Sequence, residues 1–125
     1  MNRTVGITIN GVEYPLCYST AVVCRAEDEF HGLSGFNTAI QSDSVKTKFD
    51  AVFWMLSQML LAGHRYEQLR GCETPEPPSK PQLYDMFGVG DLVYLVGKIN
   101  EAVTASSRRE TDVEAPKNAT ATPGA

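Results

Sequence analysis

No run of about 18 apolar residues occurs in this chain, so a membrane-spanning helix is not expected. The opening residues Met1 to Gly6 carry one basic side chain and no apolar stretch behind it, so a secretory leader is not expected either. Basic residues are outnumbered, with 11 Lys and Arg against 15 Asp and Glu and a net charge of −4. Surfaces that bind nucleic acid are usually strongly basic, which sets nucleic acid aside as an expected partner. Cysteine is scarce and odd in number: Cys17, Cys24 and Cys72 have no zinc-like pairing, and reduced thiols in a cytosol fit them best. No internal repeat is visible. What remains is ordinary globular material, 125 residues with 42% hydrophobic, 21% charged and 9% aromatic side chains. That length suggests one domain, large enough to bury a core without metal or disulfide staples.

The strongest local signal lies at the N-terminus. Val5, Ile7 and Ile9 alternate with Gly6 and Thr8; Val12, Tyr14 and Leu16 alternate with Glu13 and Pro15. Between them stands Asn10-Gly11, the pair that best tolerates the two positive φ angles of a type I′ turn. A two-residue loop pairs Ile9 with Val12, Ile7 with Tyr14 and Val5 with Leu16, which puts all six apolar side chains on one face. Pro15 then opposes Gly6 at a non-hydrogen-bonded position, where its missing N–H costs the hairpin nothing and marks a sheet edge. Two strands alone are marginal, so the apolar face must rest on helices or join a larger sheet.

Ser19 or Thr20 can cap a helix from about Ala21 to His31, with Gly32 as its left-handed terminator. A weak pattern with a short helical turn near Phe36 to Ile40 follows. A long helix begins near Asp43 or Ser44 and runs to about Ala62, with room to continue to Leu69. At 100° per residue, Val45, Phe49, Val52, Leu56, Met59, Leu60 and Gly63 share one face, while Trp54 and Leu61 lie nearly opposite, with Met55 and Ala62 between. A helix apolar over most of its circumference organises a core. Prolines 75, 77, 78 and 81 make residues 71–81 an extended connector. Ser79 or its neighbour, with Pro81 in the first turn, opens a short turn through Leu83, Tyr84, Met86 and Phe87. Gly88 and Gly90 end it, and Asp91 opens a last helix with Leu92, Leu95, Val96, Ile99 and Val103 on one stripe. The expected fold is therefore α+β, mostly α. Residues 1–105 form an N-terminal β-hairpin packed on a small bundle of three to four helices, and 106–125 form a disordered C-terminal tail.

Searches for chemistry end without a constellation. Gly88-Val89-Gly90-Asp91 lacks the third glycine of a dinucleotide loop and the strand that should lead into it. His31 reads as a helix-end residue, and His64 with Cys72 lacks a second ligand pair for zinc. Glu27, Asp28 and Glu29 spread over about 200° of a helix and cannot converge on one ion. The sequons at Asn2-Arg3-Thr4 and Asn118-Ala119-Thr120 carry little meaning without secretion. No nucleophile has an evident base and orienting partner, so no catalytic, cofactor-binding or metal-binding residues are assigned, and no cofactor is expected. Two features suit a protein partner. The first is the Trp54, Met55 and Leu61 surface of the long helix, which is either covered by the hairpin or the last helix or exposed as an interface. The second is the hairpin edge, which can accept another strand, from a second copy or a partner, unless it is covered or blocked by proline.

The order of elements resembles the tail assembly chaperones of long-tailed, siphovirus-like bacteriophages. The resemblance spans roughly residues 5 to 104. It is carried by Ile7-Thr8-Ile9-Asn10-Gly11-Val12-Glu13-Tyr14-Pro15-Leu16, by the acidic helix ending Glu29-Phe30-His31-Gly32, by the apolar helix Phe49 to Ala62, and by Leu83-Tyr84-Asp85-Met86-Phe87 followed by Asp91 to Val103. The long proline-rich connector and the aromatic central helix depart from it. The resemblance implies a non-enzymatic protein of the host bacterial cytoplasm, absent from the mature virion. Such a protein binds and solubilises the tape measure protein during tail morphogenesis. It also implies recruitment of tail tube protein through a longer, frameshifted form, for which Pro116-Lys117-Asn118 could be encoded by a slippery run. The rival readings are a small structural tail or head-completion protein retained in the virion, and a host-directed regulator.

Overall fold

The computed structural model describes residues 3–107. The chain opens with an antiparallel hairpin, β1 (Thr4–Ile9) and β2 (Val12–Cys17), in the register that the Asn-Gly loop predicts: Ile9 faces Val12, Ile7 faces Tyr14, Gly6 faces Pro15 and Val5 faces Leu16. Asn10 and Gly11 have φ of 51° and 80°, the two left-handed residues of a type I′ turn. Ile7, Ile9 and Leu16 are buried and Val5 and Tyr14 half-buried, while Val12, at the hairpin tip, is 40% exposed.

Among the described residues five helices follow, so the mostly helical α+β fold holds, with one or two more helices than the three to four expected. Helix α1 (Thr20–Phe30) starts at Ser19, whose Oγ accepts the Val22 N–H at 3.4 Å. Its terminator differs from the expected one. His31 takes the left-handed conformation (φ 62°) and donates its N–H to Glu27 O, and Gly32 is positive in φ one residue later. Helix α2 (Leu33–Ile40) is a full element rather than a single turn. Gly35 lets it start so soon, since a Cβ there would lie 1.6 Å from the Phe30 carbonyl oxygen.

Helix α3 (Val45–Leu69) takes the longer of the two expected extents, capped by Ser44 through the Thr47 N–H at 3.2 Å. It is the axis of the core: Phe49, Val52, Phe53, Met55, Leu56, Met59 and Leu60 are all buried. Strand β2 lies so close to α3 that a Cβ on Gly63 would stand 2.1 Å from the Pro15 carbonyl oxygen. Helix α3 therefore packs against β2 at backbone level, and only glycine fits at the crossing. Helix α4 (Lys80–Met86) is set by Ser79, whose N–H donates to Gln82 Oε1 at 2.8 Å, with Pro81 in its first turn. A 3-10 turn (Val89–Asp91) follows, and Asp91 Oδ2 accepts the Gly88 N–H at 2.8 Å. Helix α5 (Leu92–Ala105) then buries Leu95, Ile99, Ala102 and Ala105.

The proline connector does geometric work. From Leu69 back to Phe53, where α4 packs, is roughly 24 Å along the α3 axis at about 1.5 Å per residue. The extended run 72–79 spans roughly 25 Å at the polyproline rise of about 3.1 Å per residue. A helical or slack connector would not return α4 to that position. Pro78 is buried, and Thr74 Oγ1 shares a hydrogen bond of 2.6 Å with His64 Nδ1. His64 thus pins the connector to α3. Beyond Ala105, Ser106 and Ser107 close the helix with N–H bonds to the carbonyls of Ala102 and Thr104. The rest of the expected tail, both the Pro116-Lys117-Asn118 site and the Asn118 sequon, and Asn2 lie outside the described residues.

Candidate partner-binding surface

The first turns of α3 place Val45, Phe49 and Phe53 four residues apart, on one stripe of the helix. Helix α4 and the segment after it bring Tyr84, Phe87 and Val89 against that stripe. The rings interlock: Phe49 and Phe53 have centroids 5.5 Å apart, Phe53 and Tyr84 meet edge-on at 4.8 Å, and Phe53 and Phe87 stack at 6.2 Å. Phe53 is the buried floor, at 2% exposure. Above it an apolar cleft of about 230 Å³ stays open, with Val45 57% and Val89 70% exposed at its two lips. Val45 and Val89 thus flank the aromatic floor as exposed β-branched side chains.

One rim of the cleft is polar and ordered. The Tyr84 hydroxyl donates to Asp50 Oδ1, and Lys46 Nζ donates to Asp50 Oδ2 at 2.7 Å. The Lys46 hydrogen bond, with the Tyr84 hydroxyl second, holds the Asp50 carboxyl below its usual range. Burial, reinforced by the Asp50 hydrogen bond, pushes the Tyr84 phenol up to about 12. The rim therefore keeps a neutral phenol locked to an ionised carboxylate across the physiological range, tying α4 to α3 beside the cleft.

The three residues singled out from the sequence do not form one patch. Met55 has no exposure and packs in the core, so of the two alternatives the covered one holds for it. Trp54 is half-buried, and its ring meets Phe30 edge-on at 5.2 Å, with Phe36 behind Phe30 at 5.5 Å. The cover over Trp54 thus comes from the α1–α2 junction, not from the hairpin or the last helix. Leu61 is the most exposed of the three, at 36%. A helical wheel places these side chains correctly around α3 but cannot say that α1 and α2 fold over that side. The cleft residues were legible only in part. Val45 and Phe49 read as core positions and Val89 as linker. The available signal was that Val45 lies at the very first turn, where a packed neighbour is hardest to supply.

Among the described residues, no three His, Cys, Asp or Glu side chains cluster closely enough to hold a metal ion. Glu27, Asp28 and Glu29 are all exposed, and the three cysteines form no disulfide. Among the described residues no helix is long and apolar enough to cross a membrane. Comparison of the chain with protein-family models, with curated proteins and with solved structures returned no match.

Proposed function

We propose that this chain is a tail assembly chaperone of a long-tailed bacteriophage, and that its α3–α4 cleft receives an apolar helix of the tape measure protein. The observation that carries the reading is the open cleft lipped by Val45 and Val89 over the Phe49, Phe53 and Phe87 rings. A free tape measure exposes long apolar helix faces, and a groove of this kind takes such a face through anchors at i, i+3 or i+4, and i+7. The cleft has room for one or two side chains, each worth roughly 1.5–3 kcal/mol when buried. One copy would bind weakly. Many copies along one helix would shield it, and weak single contacts let the tube displace them as it polymerises. The acidic balance of the chain, −4 overall, keeps such a coat soluble. A longer, frameshifted form would then recruit tail tube protein, and the protein would stay in the host bacterial cytoplasm.

Co-expression tests the proposal. The full chain should hold a tape measure fragment in solution and co-purify with it. The double variant Val45→Glu, Val89→Glu should lose both properties at unchanged thermal stability, because both side chains are exposed. A variant that solubilises the fragment as well as wild type would sink the cleft reading. Mass spectrometry of purified particles separates a chaperone, which should be missing, from a structural tail or head-completion protein, which should be present.

A further inference from the structure

The two edges of the hairpin are not equivalent. Strand β2 meets α3 at the Pro15–Gly63 crossing, and Pro15 has no N–H to offer there. On β1, Gly6 and Thr8 occupy non-hydrogen-bonded pairs opposite Pro15 and Glu13, so their N–H and C=O groups point away from β2. Among the described residues no other backbone group bonds to either of them. Exposed edges are normally protected by a charge, a proline or a bulge. Thr4–Ile9 contains none of these.

The faces beside that edge have a definite chemistry. On the polar face, Glu13 lies flat across the sheet, and a Cβ on Gly6 would stand 2.1 Å from its Oε2. The glycine therefore makes room for a carboxylate directly over the edge strand, and no cation pairs with Glu13 among the described residues. A second carboxylate, Glu67, accepts the Thr4 hydroxyl at 3.4 Å and lies 3.9 Å from the exposed guanidinium of Arg70. Both carboxylates line one hollow with Gly6 and Thr74. On the opposite face, Val5 borders a shallow groove with Gly97, Asn100, Glu101 and Thr104 of α5.

We infer that the outer edge of β1 is a strand-addition site for an extended basic segment of another protein. Residues directly opposite each other in a sheet share a face, and faces alternate with period two. Lys or Arg opposite Gly6 would therefore meet Glu13, and a second opposite Thr4 would meet Glu67. The residue between them would face Val5 on a rim that also carries Asn100 and Glu101 of α5, and an apolar side chain there would pack on Val5. The occupant is a basic–apolar–basic strand, held by main-chain hydrogen bonds and selected by charge. A second copy fits poorly: β1 carries no cation, and pairing it with itself about Gly6 would bring two Glu13 carboxylates to one face. The inference is independent of the α3–α4 cleft.

The test uses the full chain and a dye-labelled decapeptide alternating lysine and valine, followed by fluorescence anisotropy and amide NMR. The peptide should bind, shift the Gly6 and Thr8 amides and slow their hydrogen exchange. Thr8→Pro places an imide where Pro15 already sits harmlessly on the other strand, and should weaken binding at least tenfold. Should that variant misfold, a peptide N-methylated on its edge-facing amides must show the same loss against wild type. Glu13→Gln should weaken binding about three- to fivefold, the scale of an exposed ion pair. A peptide alternating glutamine and valine should lose more, since both cations are gone. The inference is overturned by no binding, by equal binding of the glutamine peptide, or by full binding of the N-methylated one. Protection of the Gly6 and Thr8 amides before peptide is added would also overturn it, as would self-association through β1 that Thr8→Pro abolishes.

Discussion

At the residue scale, two glycines in helix interiors should answer the same substitution with opposite signs. Replacing an exposed mid-helix glycine by alanine normally stabilises a helix by roughly 0.5–1 kcal/mol. Gly97 in α5 meets that condition, because nothing lies within 4 Å of where its Cβ would be. Gly63 in α3 does not, because its Cβ would press on the Pro15 carbonyl oxygen and on the backbone of Leu16. Backbone cannot rotate aside like the end of a side chain, so Gly63→Ala must push β2 off α3. We expect Gly97→Ala to raise stability by about 0.5–1 kcal/mol in urea denaturation. Gly63→Ala should lower it by about 2 kcal/mol or more. Equal responses at the two sites would show that β2 does not lie against α3 as described.

At the scale of elements, the short helix α4 is held on α3 by rings and by one polar bridge, Tyr84 to Asp50. The raised phenol pKa, about 12, links that bridge to pH. A tyrosine in the unfolded chain ionises near 10. Between those values the unfolded chain gives up the proton while the folded one keeps it, so the bridge's contribution is whole below about 10 and is lost as pH rises toward 12. At the acid end the sign reverses: Asp50 is lowered, so its contribution is present above the usual carboxylate range and is lost as pH falls through its folded value. Tyr84→Phe should cost at most about 1 kcal/mol at neutral pH, since both groups are partly exposed. It should also flatten the decline of melting temperature between pH 10 and 12 relative to wild type. Tyr18, also raised by burial and then by Glu27, is unchanged in the variant and contributes equally to both curves.

Much of the element scale was legible beforehand because its causes are local. Asn10-Gly11 dictates the turn, the turn dictates the register, and alternation dictates which side chains face inward; all three agree with the structure. Ser19, Ser44 and Ser79 stand where side-chain oxygens or capping partners are needed, so the starts of α1, α3 and α4 fall within a residue or two of expectation. The misses have local causes as well. His31 takes the left-handed position one residue ahead of the glycine that could have held it. Helix α2, expected as a turn near Phe36, begins earlier, because Gly35 lets it start beneath the Phe30 carbonyl.

For the whole molecule, the two surfaces proposed for partners belong to different parts of the chain. The cleft is built from the start of α3, α4 and the 3-10 turn, whereas the edge is built from β1 with Glu13 and Glu67. No residue lines both. Substitutions at sites without shared partners should act independently. Val89→Glu should therefore leave the affinity for the basic peptide within a factor of two, and Thr8→Pro should leave the solubilisation of an apolar helix intact. Coupling between them, measured by repeating each assay on the double variant, would mean that the surfaces communicate through the core.

The sequence by itself determined the hairpin and its register, the long apolar helix, the extended connector and the stripe of α5, since each follows from turn chemistry, capping or periodicity within a few residues. Which side of α3 stays open was decided only by tertiary structure. Trp54 has the more conspicuous side chain, yet the α1–α2 junction covers it and Met55 is fully enclosed. Val45 looks like core and lies at an open lip, because the connector returns α4 to Phe53 and leaves the first turn of α3 bare. The hairpin edges divide in the same way. Sequence could mark Pro15 as an edge residue, but only the close approach of Gly63 shows that α3 lies against the β2 edge.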